Sequence, residues 1–197
     1  MPKQTLAPMN MMDFFRKSEG IWLSQRTVHH FDTRADESGE SNLIIDVLAA
    51  DDERVKSVCS EQNIDSTLAV GGASFLWQHN LEDTQPNPDY AAVLVDLPNP
   101  DNPTQGAFLR NRGYVEGIPV ICQYHFAPDG VLTINTEYER NQGTERCWFI
   151  NDNFRVRITM AKMMNGVNLM GYCSERRCTA EAEIEAALAR NRDRAQR

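Results

Sequence analysis

The sequence predicts a mainly β fold: a closed antiparallel β-barrel of about ten strands with an N-terminal helix at one end. Three observations predict it. Short runs of alternating apolar and polar residues recur at hairpin spacing through most of the chain. Several are joined by tight-turn sequences, Asn141-Gln142-Gly143, Asn151-Asp152-Asn153 and Asn165-Gly166, whose residues tolerate positive φ. Helical patterning is confined to short stretches at 10–19, 51–62 and 179–197. A barrel of this size holds one small ligand inside.

The elements follow in order. Residues 10–19 form a helix with an apolar stripe of Met11, Met12, Phe14 and Phe15, capped by Asn10 and stopped by Gly20. A strand runs from Gly20 to Phe31. A turn rich in Asp, Ser and Gly spans 32–40, and a second strand spans 42–49. Residues 51–62 read as a helix, with Asp51 or Asp52 as N-cap and Val55, Val58 and Cys59 on one face. Strands resume at 68–79 and 89–96. Gly71-Gly72 in the first of these marks a bulge or a close backbone approach, the bulge being the favoured reading. The stretch 84–106 holds Pro86, Pro88, Pro98, Pro100 and Pro103 and reads as loop around the 89–96 strand. Further strands are expected at 113–127, 130–140, 144–150, 154–163 and 167–175. The barrel is thus a single domain over 1–178, and 179–197 is a solvated helical or frayed tail carrying Arg190, Arg192, Arg194 and Arg197.

Composition narrows the function. The net charge is −8, which disfavours nucleic acid and anionic membrane as partners. No apolar run approaches the roughly 20 residues that span a bilayer, and the first residues lack a signal-peptide pattern. A cytoplasmic location is expected. The five cysteines are odd in number, widely spread and without a CxxC pair; free thiols fit them best. His29 and His30 are adjacent on a strand and point to opposite faces, and no HxxxH accompanies them, so no metal site is expected.

The segment Thr133 to Arg157 carries the strongest functional hint. Alternation places Glu145, Cys147 and Phe149 on one strand face, opposite Arg146, Trp148 and Ile150. Arg155, Arg157 and Thr159 share a face of the next strand. A hairpin through 151–153 sets the acid and the two arginines on the same side of the sheet. That suits a largely apolar ligand with carboxylates. It equally describes a solvated, ion-paired face, and both readings stay open on alternation alone.

Longer blocks carry a resemblance. MDFFRKSEGIWLSQRTVHH (12–30), VLAADD (47–52), LAVGGASFLW (68–77), LPNPDNPTQGAFLRNRGYVEGIPV (97–120), TEYE (136–139), ERCWFINDNFRVR (145–157) and YCSERR (172–177) resemble, in order and content, the S-type phycobilin lyases of the CpcS/CpeS family. The resemblance covers about residues 10–177. It implies a lipocalin-like, fatty-acid-binding-protein-like barrel that binds a linear tetrapyrrole, phycocyanobilin or phycoerythrobilin, non-covalently. It implies attachment of that bilin, as a thioether, to a cysteine of a phycobiliprotein subunit: phycocyanin, allophycocyanin or phycoerythrin. It also implies no cofactor beyond the transferred phycobilin, and the cytoplasm of a cyanobacterium or an algal plastid stroma.

Mapped onto this chain, the resemblance makes Glu145 and Arg155 the catalytic candidates. Glu145 would hydrogen-bond the pyrrole nitrogens or donate a proton, with Glu175 as the second-ranked acid. Arg155, Arg157 and Arg26 become carboxylate anchors, since a guanidinium fork matches a carboxylate. Phe75 and Trp77, on one strand face, become walls for the conjugated plane, and Trp148 is expected to pack outside. A homodimer through an outer sheet face is also expected. The alternative is a bilin or fatty-acid carrier without transfer; a weaker third reading is a chaperone for phycobiliprotein subunits.

Overall fold

A computed structural model describes residues 9–31, 35–79, 81–82, 87–113, 115–164 and 166–195. Helix α1 (Met11–Ser18) is followed by strands β1 (Gly20–His30) and β2 (Ala35–Leu48), then helix α2 (Glu53–Glu61) and β3 (Gly71–Gln78). Strands β4 (Ala91–Asn99), β5 (Asn102–Arg110), β6 (Val120–Phe126), β7 (Leu132–Glu137), β8 (Gln142–Asn151), β9 (Phe154–Met163) and β10 (Gly166–Arg177) complete the barrel, and helix α3 (Glu181–Ala195) follows. Single 3-10 turns precede β3 and β4. The strands pair in the closed order β1-β10-β9-β8-β7-β6-β5-β4-β3-β2, antiparallel at each step. The predicted barrel is therefore present. No described helix is long and apolar enough to cross a membrane.

Helix α1 forms for the reasons its sequence gives. The Asn10 side chain accepts from the Asp13 backbone N–H at 2.8 Å, and Met11, Met12, Phe14 and Phe15 are all buried. This face plugs one end of the barrel. Phe14 meets Phe126 and Phe149, and Phe15 meets Phe75. The main core joins these to Leu43, Ile45, Ala73, Leu94 and Phe108 from the inner strand faces. A second cluster lies outside the barrel, where Val55, Val58 and Cys59 of α2 cover Leu48, Val95 and Leu109.

Four expectations are corrected. The turn assigned to 32–40 is mostly strand, with residues 32–34 outside the described ones. β2 starts at Ala35 and pairs with β1 through polar cross-strand partners, Gln25 with Glu40 at 2.9 Å and Thr27 with Ser38 at 3.2 Å. Such pairs stabilise a ladder without any apolar alternation. The stretch read as loop around the 89–96 strand contains β5, and β4 extends to Asn99. Its Pro98 sits beside the register shift that closes the β4–β5 hairpin, where proline is tolerated; Pro86 lies outside the described residues. The strand expected at 113–127 is only Val120–Phe126, because Gly117 at φ 65 turns the chain first. Gly71-Gly72 is a close approach and not a bulge. The β3–β4 register runs straight through it, and a Cβ on Gly72 would lie 2.3 Å from the Leu94 carbonyl oxygen. Asn165 of the last predicted turn and Arg197 of the tail lie outside the described residues.

Candidate functional site

Alternation divides each strand into an inner and an outer face, and the ladder register lines the inner residues up across strands. Arg26 of β1 lies opposite Cys173 of β10, and Cys173 opposite Arg157 of β9. Cys147 of β8 lies opposite Arg157, and Glu145 opposite Thr159. On the far wall, Leu94 of β4 lies opposite Arg110 of β5. These inner faces enclose a cavity of about 760 Å³ at the end of the barrel away from α1, within the size range of small-molecule sites. Arg26, Trp77, Arg110, Arg157, Thr159 and Cys173 line it, and Tyr90, Arg112 and Glu116 stand at its rim.

A layer of buried charge separates the cavity from the plugged end. Arg110 Nη1 is 3.3 Å from Glu145 Oε1, and Arg157 Nη1 is 3.9 Å from the other oxygen of the same carboxylate. Arg157 Nη2 reaches Glu175 Oε1 at 3.3 Å, and Arg155 Nε donates to Glu175 Oε2 at 2.5 Å. Arg155 also donates to the Ser18 hydroxyl at 2.8 Å and lies over the Trp22 ring at 4.7 Å. Trp22 in turn donates from its indole nitrogen to the Ser18 carbonyl at 2.7 Å. Arg177 covers the Trp22 ring at 4.2 Å and donates to the Lys17 and Glu19 carbonyls at the end of α1, a cationic cap where the helix carbonyls are unpaired.

Burial and charge act in opposite directions here. Burial pushes the Glu175 carboxyl up, but Arg155 and Arg157 more than offset it and hold the group below the usual carboxylate value. Burial also opposes the Arg157 charge, yet Cys173, Glu175 and Glu145 around it raise its pKa above the ordinary guanidinium value. For two inner thiols burial outweighs the nearby arginines: it pushes Cys122 up to about 11 and Cys147 up to about 12. Both are protonated at neutral pH and are poor nucleophiles.

The residues named from sequence distribute themselves unequally. Arg26, Trp77 and Arg157 line the cavity, and Arg157 sits 5.7 Å above the Trp77 ring, within cation–π range. Phe75 stacks on Trp77 with ring centroids 6.0 Å apart. It supports that wall from within the core and does not line the cavity. Glu145 shares the face of the arginines, as alternation requires, and lies behind Arg110 and Arg157. Arg155 and Glu175 differ from their expected contact roles. They are 3% and 0% exposed, are paired with each other, and do not line the cavity. Their polar atoms are spent on Ser18, Ser24, Arg157 and each other, so they brace Arg157 and tie the floor to α1. Trp148 is on the outer side of β8, since Cys147 and Phe149 occupy its inner face.

Arg110 escaped sequence reasoning. It stands in the family-like block at 97–120, but the five prolines around 84–106 hid the strand that aims it inward. An alternation count onward from Leu109, which packs outward under α2, gives Arg110 an inward direction.

Against known proteins, the model of the CpeS-like protein family matches residues 10–178. The chain is 60% identical over 184 residues to chromophore lyase CpcS/CpeS 4 of Trichodesmium erythraeum strain IMS101, covering 93% of this chain and 95% of the relative. It is 48% identical to chromophore lyase CpcS/CpeS of Synechococcus sp. strain WH8020, covering 90% and 89%. The solved S-type phycobiliprotein lyase CPES from Guillardia theta superposes with a TM-score of 0.71 at 25% identity, covering 88% of this chain and 95% of that one. Barrel, plug helix, charged cavity and these matches agree, and the chain belongs to the CpeS-like family alongside the CpcS/CpeS chromophore lyases.

Proposed function

We propose that this chain is a phycobilin lyase that holds a linear tetrapyrrole in the barrel cavity and delivers it to a cysteine of a phycobiliprotein subunit. The observation that carries the reading is the cavity itself: about 760 Å³, walled on one side by Trp77 and reaching the guanidiniums of Arg110 and Arg157. A bilin has a long conjugated plane and two propionates, and it needs both kinds of wall.

The reaction is an addition. The acceptor thiol adds across the exocyclic ethylidene double bond of ring A; one carbon–sulfur bond forms, and the thiol proton ends on the adjacent ring carbon. Nothing is oxidised or reduced, and no resident cofactor is required. The chain contributes orientation: it fixes one conformer of a flexible ligand and offers one edge to the incoming thiol, which raises rate and selectivity together. In this reading Arg157, Arg26 and Trp77 touch the bilin. Glu145, Arg155 and Glu175 hold Arg157 in place. The nucleophile belongs to the acceptor, as expected if Cys122 and Cys147 stay protonated. The curated relatives come from cyanobacteria, so we place the reaction in the cyanobacterial cytoplasm.

The test mixes the purified chain with phycocyanobilin or phycoerythrobilin and an apo-phycobiliprotein subunit, followed by denaturing electrophoresis and zinc-enhanced fluorescence. A labelled subunit band that disappears when the acceptor cysteine becomes alanine is the expected result. A bilin spectral shift without any labelled subunit identifies a carrier, and no shift with either bilin removes the bilin reading altogether.

A further inference from the structure

We propose that Gly39 and Gly171 form a bare patch of cavity wall against which one face of the ligand's conjugated plane lies, and that their missing side chains set the thickness of ligand the barrel accepts. This rests on the bilin reading above and assigns two residues that decide what fits. Glycine inside a strand gives up side-chain packing and costs backbone entropy, so it has a local reason or a functional one. For Gly72 and Gly106 the fold supplies the reason: a Cβ would lie 2.3 Å from the Leu94 carbonyl oxygen and 2.7 Å from that of Leu97.

Gly39 in β2 and Gly171 in β10 are different. Neither has a positive φ. A Cβ on Gly39 would meet nothing within 4 Å, and one on Gly171 would meet only ordinary contacts, Thr159 at 3.7 Å and Val28 at 3.8 Å. The barrel has room for a side chain at both positions, and neither backbone conformation nor close packing requires its omission. What the two positions share is the cavity, which both of them line. The register agrees: Gly39 lies opposite Arg26, and Gly171 lies opposite Thr159, and both partners line the cavity as well. Residues directly opposed in a ladder share a face of the sheet.

The walls of the cavity are therefore unequal in relief. From β3 the large ring of Trp77 projects far enough inward to lie under the Arg157 guanidinium of β9 at 5.7 Å. On β2 and β10 the glycines leave bare strand, and Ser41 and Cys173 beside them on the same strands are short. A ring on one wall and bare backbone on another suit a thin, flat ligand, with one face on the indole and the other close to the strand. A fully conjugated linear tetrapyrrole is such a ligand. A side chain at either glycine would stand where its second face lies.

The experiment titrates phycocyanobilin by absorbance against wild type, Gly171→Ala, Gly171→Val and Gly39→Val, and records a thermal melt of each protein. Affinity should fall stepwise with size at position 171, by about threefold for alanine and about tenfold to a hundredfold for valine, the usual effect of forcing methyl groups into occupied space. Gly39→Val should lose at least about fivefold. The melts should stay within about 3 °C of wild type or rise, because replacing glycine where no strain results favours the folded chain. Falling affinity with undiminished melting is the expected signature. A lowered melt for both valine variants would show that the glycines serve the fold, and overturns the proposal. So does a Gly171→Val that melts like wild type and binds phycocyanobilin within about twofold of it, an outcome that leaves the bilin reading standing. Wild type that binds no phycocyanobilin overturns the bilin reading, and the bare wall with it.

Discussion

At the α1 end of the barrel the inner strand faces carry Leu43, Ile45, Phe108 and Phe126, and they close on Phe14 and Phe15. Toward the mouth the same barrel carries Arg26, Trp77, Arg110 and Arg157 around an open volume. One alternation rule produces both halves, so the difference is one of side chain and not of backbone. The apolar half buries surface and stabilises the fold. The charged half does the reverse: it keeps guanidiniums away from water, at a cost that neighbouring carboxylates and the Trp22 and Trp77 rings offset. The boundary between them is the Arg155–Glu175 pair, bound on one side to Arg157 and on the other to Ser18 of the plug.

Three substitutions sharpen or break this division, besides the two experiments above. Trp22→Ala acts on the apolar half, where the ring is fully buried between Arg155 and Arg177. It should cost about 3–5 kcal/mol in urea unfolding, the largest effect. A loss under about 1 kcal/mol would show that the plug contributes little.

Glu175→Gln acts on the boundary and should cost about 3 kcal/mol at neutral pH, as expected for breaking a buried pair. The sign with pH follows from the depressed carboxyl. Its contribution is present above the unfolded value of 4.5 and is lost as pH falls through the lower folded value. Wild type and variant should therefore converge in acid unfolding. A difference that stays constant with pH would mean that Glu175 acts by shape and not by charge.

Asp96→Asn tests the exception, a carboxyl inside the apolar half. Asp96 is 1% exposed, and its carboxylate accepts from the Tyr124 hydroxyl at 2.9 Å. Burial pushes it up from 3.8 to about 6, a shift the Tyr124 bond only reduces. The folded state therefore favours the protonated acid: stability is greatest below 3.8 and falls as pH rises to about 6. The variant should be more stable than wild type by about 2 kcal/mol at pH 8 and equal to it near pH 4. Equal melting at both pH values would place water or an unrecognised cation at Asp96.

The sequence was most legible where alternation and turn chemistry agree. The 144–150 and 154–163 runs flank a turn of Asn151, Asp152 and Asn153, so the shared inner face of Glu145 and Arg157 was readable from the residues themselves. It was least legible where polar residues build strands. Residues 35–41 are held by side-chain pairs across the β1–β2 ladder, and no hydrophobic pattern reports that. Prolines hid β5, and with it Arg110. Depth was illegible as well: Arg155 and Arg157 have the same residue type and the same face, yet one is sealed under the floor and the other lines the cavity. The arrival of α1, through Ser18, and the Trp22 ring of β1 separate them.

The contacts of that helix also carry a timetable. Arg155 bonds Ser18 across 137 residues of sequence, and Arg177 bonds Glu19 and Lys17 across 158 and 160. The plug is made well before its anchors. Phe15 can meet Phe75 of β3 early and Phe14 waits for Phe126 and Phe149, but the polar anchors form only once β9 and β10 have been synthesised. Long-range closure of this kind slows folding and lengthens exposure of apolar surface. The same staple that locks the finished barrel is therefore the last part of it that the growing chain can make.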